Sequence, residues 1–177
     1  LLTHGTLMAC RADHVDDRIT VIDSHEPFSV GDLGIQPFPV PHDAREPVQF
    51  VLTDGSWRLG VLTDAGHVTP HMVAMLDGCD GLVLECNHDA AMLVQGSYPL
   101  ALKRRVGGPW GHLDNAAGAS LLARLDSSRL RHVVAAHLSE QNNSPLLARA
   151  ALSAVLGCAP DWIGIATQSE GFSWRDL

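Results

Sequence analysis

LGVLTDAGH, residues 59–67, sets an apolar run against a polar stop. Leu59, Val61 and Leu62 read as a buried strand, which delivers Thr63 and Asp64 to its tip ahead of a flexible Ala65-Gly66 step. Two other apolar segments end the same way: Val40-Pro41 runs into His42, and Val133–Ala136 into His137. Strand tips are rigid platforms, so side chains from several of them meet at little entropic cost. Imidazole and carboxylate are the donors a borderline cation such as Zn²⁺ or Mn²⁺ accepts, and a carboxylate has two oxygens with which to bridge two ions. Each residue also has an ordinary reading, Asp64 as a turn or cap and His42 as a loop residue. His137 is harder to set aside, because Ser139, Glu140, Gln141, Asn142 and Asn143 follow it at once.

The surroundings are those of one α/β domain over residues 1–177. Hydrophobic residues make up 46% and charged residues 18%, which excludes a disordered chain. No apolar run approaches the roughly 20 residues that cross a bilayer, and Leu1-Leu2-Thr3-His4 has no signal-peptide character. Four scattered cysteines without a CxxC pair read as small hydrophobes in a reducing compartment, so a cytoplasmic location is expected. A net charge of −8 argues against a broadly basic surface but leaves room for a local basic pocket.

Strands are expected at 19–23, 35–40 (irregular or at an edge, because of Pro37 and Pro39), 48–53, 57–63, 81–86, 133–136, 162–167 and 172–174. Asp54-Gly55-Ser56 marks a hairpin. Helices are expected after Thr69-Pro70, after His88, over Leu100–Val106, from Asp114 or Asn115, and after Ser144-Pro145 to Gly157. The sheet is therefore mixed, with flanking helices. His4, His14, His25 and His132 read as surface or element-end residues. Glu85, on a buried strand, reads as a carboxylate that orients a ligating imidazole, and His67, close after Asp64, as a similar support. Lys103, Arg104 and Arg105 precede Gly107-Gly108-Pro109-Trp110, where arginine suits phosphate and an indole suits a base. The ordinary reading is a helix end with cations on the dipole.

PHDAREPVQFVL (41–52), LTDAGH (62–67), LVLECNHD (82–89), GHLDN (111–115) and AAHLSEQNN (135–143) together resemble, in order, the distal motifs of the metallo-β-lactamase superfamily, in particular its YycJ/WalJ-type branch of metal-dependent hydrolases and exonucleases. The resemblance implies an αββα sandwich and two divalent metal ions, zinc or manganese, in the intact protein. It makes His42 a ligand of the first ion, Asp64 the bridging carboxylate and His137 a ligand of the second. His112 is similar to the proton-donating histidine of the HLT-type motif. Ser139 and Asn142 fall where related nucleases meet phosphate oxygens. His88 and Asp89 belong to the branch signature.

Two departures accompany it. No pair of histidines stands at i and i+2, so HxHxDH is absent, and the resemblance places that motif ahead of Leu1; the sandwich is thus expected to be truncated at its amino end. HLSEQNN also lacks the arginine of HFSxRY. With three of the expected ligands, this chain is expected to hold metal weakly or not at all, and a second copy is a candidate cover for the open sheet face. The implied activity is phosphodiester hydrolysis on nucleic acid, through a metal-bridging hydroxide. The alternatives are a lactone, thioester or lactam hydrolase of the same fold, or an inactive fragment or interaction module.

Overall fold

The computed structural model describes residues 1–10 and 19–177; the reading of His14 lies outside them. In chain order the elements are β1 (Leu2–Thr3), α1 (His4–Ala9), β2 (Val21–Ile22), β3 (Phe28–Val30), β4 (Leu33–Pro39), β5 (Val48–Thr53), β6 (Arg58–Leu62), α2 (Pro70–Leu76), β7 (Gly81–Glu85), α3 (Ala90–Gln95), α4 (Leu100–Val106), α5 (Asn115–Leu122), β8 (His132–Ala136), α6 (Pro145–Leu156), a 3₁₀ turn (Pro160–Trp162) and β9 (Gly164–Ile165). β1 and β2 form a small parallel pair, and β3 to β9 lie in sequence order in one seven-stranded sheet.

Direction within that sheet decides where the polar residues go. β3 to β6 are antiparallel neighbours, and β6 to β9 are parallel. Two antiparallel steps bring β4 into the same direction as β6, so β4, β6, β7 and β8 all end at one edge. His42, Asp64, Glu85 and His137 follow or close those four strands. Carboxyl-terminal strand edges of this kind are where α/β sheets hold ligands.

Alternation sorts the two faces. Val51, Leu62, Leu82, Leu84, Val133 and Ala135 point into the main core, where Met72 and Leu76 of α2, Leu121 and Leu122 of α5, and Ala148 and Leu152 of α6 meet them. The intervening residues Phe50, Leu52, Leu59, Val61 and Val83 form an apolar second face that is only half-buried. Local chemistry follows the expected signals. Asp54 Oδ1 accepts from the Ser56 and Trp57 amides, and Gly55 takes a positive φ. Thr69 and Ser144 cap α2 and α6, each of which has proline in its first turn, and Gly157 closes α6 at φ +64°.

Three expectations change. β4 is not an edge strand, since β3 lies beside it. β3 pairs only Leu33 to Ile35, however, so Pro37 and Pro39 lie past its end, where the strand has no neighbour on that side to miss their amides. The stretch 162–167 is strand only over Gly164–Ile165, because Pro160 opens a 3₁₀ turn instead. Residues 172–174 form no strand. Phe172 and Trp174 are exposed there, and the terminal segment lies over Leu59, Val83 and Val134 of the second face, leaving a cavity of about 360 Å³.

Candidate metal centre

Glu85, the last residue of β7, is completely buried, and five donors converge on its carboxylate. Oε1 accepts from the Asp64 amide at 3.0 Å, His112 Nδ1 at 2.9 Å and His137 Nδ1 at 2.9 Å; Oε2 accepts from the Ala65 amide at 3.0 Å and the Leu113 amide at 3.1 Å. Burial alone would raise its pKa. The two imidazole hydrogen bonds, with those from Ala65 and Leu113, outweigh it and hold the carboxyl at about 2. The same bond to Glu85 raises the pKa of His137 against the opposing effect of burial.

This arrangement fixes both rings. With Nδ1–H of His112 and His137 committed to Glu85, each Nε2 is left with its lone pair, and neither Nε2 has a hydrogen bond among the described residues. His42 is fixed independently: its Nδ1–H donates to the Gly111 carbonyl at 3.0 Å. Asp64 stands among the three. Its Oδ1 is 3.8 Å from His42 Nε2, 3.6 Å from His112 Nδ1 and 3.7 Å from His137 Nδ1. The ring centroids of His42 and His112 are 5.1 Å apart, and those of His112 and His137 5.0 Å.

Ligand-type atoms of Asp64, Glu85, His112 and His137 lie within 4.8 Å of one another. Glu85 has no oxygen to spare, because both are filled by hydrogen bonds of 2.9–3.1 Å. Its chemistry here is orientation. The donor set facing outward, three imidazoles around one carboxylate that is 40% exposed, suits a borderline divalent cation.

The backbone is strained at two of these positions. Asp64 has φ +54° and His137 φ +57°, the left-handed region that costs a side-chain-bearing residue about 1–2 kcal/mol. Each left-handed residue turns the chain sharply off its strand, which brings its side chain back over the sheet edge. The Asp64 amide bond to Glu85 helps to hold one of them.

Other predicted residues are placed as follows. Ser139 lines a cavity of about 480 Å³ beside His112 and His137, with Asn87, Tyr98, Leu102 and Val106 on its other walls. Asn142 does not reach that cavity. It is 1% exposed behind the loop, where its carbonyl accepts from the Asp89 amide and its own amide donates to Ser139 Oγ. Asp89 caps α3 through Met92, and His88 is buried, with its pKa lowered by that burial. Arg105 is not a free cation: its guanidinium pairs with Asp43, next to His42. Arg104 is exposed, and Lys103 Nζ donates to the Val94 carbonyl. His67 is exposed and bonded to the Pro109 carbonyl rather than to the carboxylate cluster.

One supporting pair carries no signal in the sequence beyond its letters. Asn115 at the start of α5 and Asn143 before α6 exchange two amide hydrogen bonds of 2.9 Å, fully buried, and Asn143 also donates to the Cys86 carbonyl. The pair ties the GHLDN segment to the HLSEQNN segment, and so His112 to His137. Gly118 lets α5 approach, since a Cβ there would stand 2.7 Å from the Glu85 carbonyl. Burial pushes the neighbouring Cys86 thiol up to about 12, so it packs as a hydrophobe.

A mixed sheet whose strand tips gather histidine and carboxylate in this way defines a protein of the metallo-β-lactamase fold. The family model for the beta-lactamase superfamily domain matches residues 2–137. The chain belongs to the metallo-β-lactamase superfamily, and within it to the YycJ/WalJ type. It is 37% identical over 126 residues to the exodeoxyribonuclease YycJ of Bacillus anthracis, covering 71% of this chain and 48% of that protein. It is 36% identical over 137 residues to the exodeoxyribonuclease WalJ of Streptococcus pneumoniae serotype 2 (strain D39), covering 76% and 50%. The chain thus spans about half the length of the curated relatives it matches. In fold it is similar to Zn²⁺-bound PqqB from Methylobacterium extorquens, with a TM-score of 0.67 at 19% identity over 99% of this chain and 64% of that one. No helix among the described residues is long and apolar enough to cross a membrane.

Proposed function

We propose that residues 1–177 form one metallo-β-lactamase-like domain that contributes the distal half of a nuclease site, and that the intact protein is a metal-dependent phosphodiesterase removing nucleotides from DNA ends. One observation carries this reading: three imidazoles with fixed Nδ1 partners surround Asp64 at a single sheet edge. The exodeoxyribonuclease relatives support the substrate class.

His42, Asp64 and His137 are the residues that would hold divalent ions, zinc or manganese, with His112 close enough to join them. Such ions supply Lewis acidity and lower the pKa of a bound water from 15.7 to about 7. Among the described residues the one compact ligand group is Asp64, Glu85, His112 and His137, without His42, so two ions require further donors, and the chain alone should bind weakly.

The chain's own groups then have distinct tasks. Asp64 supplies negative charge and two oxygens at the centre. Glu85 keeps His112 and His137 in the tautomer with Nδ1–H inward. His112, its ring held by Glu85 through Nδ1, would serve as the proton donor to the departing oxygen. Ser139 lines the cavity beside His112 and His137, where it would meet phosphate oxygens, and exposed Arg104, which lines a separate pocket with His88, Lys103 and Asp114, would add charge farther along the strand's path. A second copy of the chain covering the half-buried apolar face belongs to the same proposal.

The test is metal analysis with oligodeoxynucleotide hydrolysis by the intact gene product. Metal-dependent shortening from an end, lost in Asp64→Asn, is expected. Full activity after metal removal would end the reading.

A further inference from the structure

The cavity of about 480 Å³ beside His112 and His137 is lined by no lysine or arginine among the described residues, and exposed Glu140 adds negative charge to it. Hydroxyl groups stand there instead of cations. Ser139 Oγ accepts from the backbone amide of Asn142 at 3.1 Å and from its side-chain amide at 3.5 Å. With both lone pairs engaged, its hydrogen is left to donate, and no acceptor takes it among the described residues. Tyr98, the one tyrosine of the chain, is half-buried on another wall of the same cavity. Its hydroxyl also has no hydrogen bond among the described residues. The loop that carries it is fixed from both sides. Gly96 lies so close to Asn142 that a Cβ there would stand 2.4 Å from Oδ1, a buried oxygen without a partner among the described residues. Pro99 caps α4, and Lys103 ties α4 back to α3 through the Val94 carbonyl at 2.6 Å. Asn142 thus packs against the Tyr98 loop while its amides hold Ser139.

Resting on the nuclease reading, we infer that Tyr98 is a phosphate-binding residue whose hydroxyl, together with that of Ser139, donates to a non-bridging oxygen of the scissile phosphodiester. A hydrogen bond to a charged acceptor is stronger than one between neutral groups, so a single hydroxyl in a fixed loop has a measurable effect. A neutral donor neutralises no phosphate, so it adds affinity without adding to the salt dependence of binding.

The test is Tyr98→Phe, which removes one oxygen and keeps the ring. The metal-loaded intact protein is assayed on an oligodeoxynucleotide, in whichever strand form the wild type cuts faster, with the scissile linkage either a phosphate or a phosphorothioate of each configuration. On phosphate the variant should lose about tenfold in kcat/KM, with metal content and the slope of log KM against log salt unchanged. Sulfur accepts hydrogen bonds poorly, so on one of the two phosphorothioates the same variant should lose less than about twofold. Wild-type kcat/KM in Tyr98→Phe, or an equal loss on phosphate and on both phosphorothioates, overturns the phosphate contact and leaves the nuclease reading intact. If the wild type cuts no oligodeoxynucleotide, both fall.

Discussion

Strand β7 has a buried carboxylate at each end, and the two are satisfied differently. Asp80, just before the strand, accepts from the Arg58 amide at 2.8 Å and from Nε and Nη2 of Arg129 at 3.1 and 3.2 Å. Glu85, closing it, accepts from three backbone amides and two imidazoles. Both are almost inaccessible, at 1% and 0%. The difference lies at the far side of the donors. A guanidinium that serves Asp80 has no lone pair with which to do anything further. An imidazole that gives Nδ1–H to Glu85 still has Nε2. A buried carboxylate points to chemistry when its donors have a second, opposite capability, and to stability when they do not.

The contrast breaks most readily at Glu85. Glu85→Ala strands five donors and should cost about 3–5 kcal/mol in urea unfolding, with divalent-ion affinity lowered about 10–100-fold by calorimetry. Asp80→Ala should also destabilise but leave ion affinity unchanged; a matching loss of affinity there would erase the distinction. His112→Ala should lower turnover by about 10²–10⁴ with metal content intact. Metal loss in that variant would make His112 a ligand. At the other end Arg129→Ala, whose guanidinium is half in water, should remove only about 1–2 kcal/mol and no activity.

Acid sharpens the comparison further. Folded Glu85 titrates at about 2, against 4.5 for the free group, so the stability it adds is complete above about 4.5 and drains away as the pH falls toward 2. Glu85→Gln should flatten that limb of the stability curve of the metal-free protein. The smallest effect belongs to the exposed last turn of α4. Arg104→Ala should reduce the slope of log KM against log salt by about one. Arg105→Ala should instead loosen the loop of His42 and Asp43, with little change in slope.

Much of the layout was legible because strand alternation, caps and turn residues are local. Thr69-Pro70, Asp54-Gly55 and Ser144-Pro145 each specify their neighbourhood within four residues. The strand-tip positions of His42, Asp64 and His137 were legible for the same reason. What could not be read are the partners, since these come from sheet order. Glu85 meets residues 20, 21, 27, 28 and 52 positions away. Arg105 reads equally as a phosphate-binding cation or a helix-end charge, because nothing in the letters ties it to Asp43. Asn142 and Asn143 look alike in sequence, and only packing shows that both are internal, Asn143 bonded to Asn115 and Cys86 while the side-chain carbonyl of Asn142 has no hydrogen-bond partner among the described residues.

The left-handed backbone at positions 64 and 137 also limits how the centre could be re-tuned. Aspartate, asparagine and histidine tolerate that conformation far better than cysteine or glutamate. An attempt to shift preference toward a thiophilic ion by placing sulfur at either position would pay in conformational strain before any selectivity appeared. Position 42, where the proposed function also places a ligand, has no such restriction, so a change of metal preference would be most accessible there.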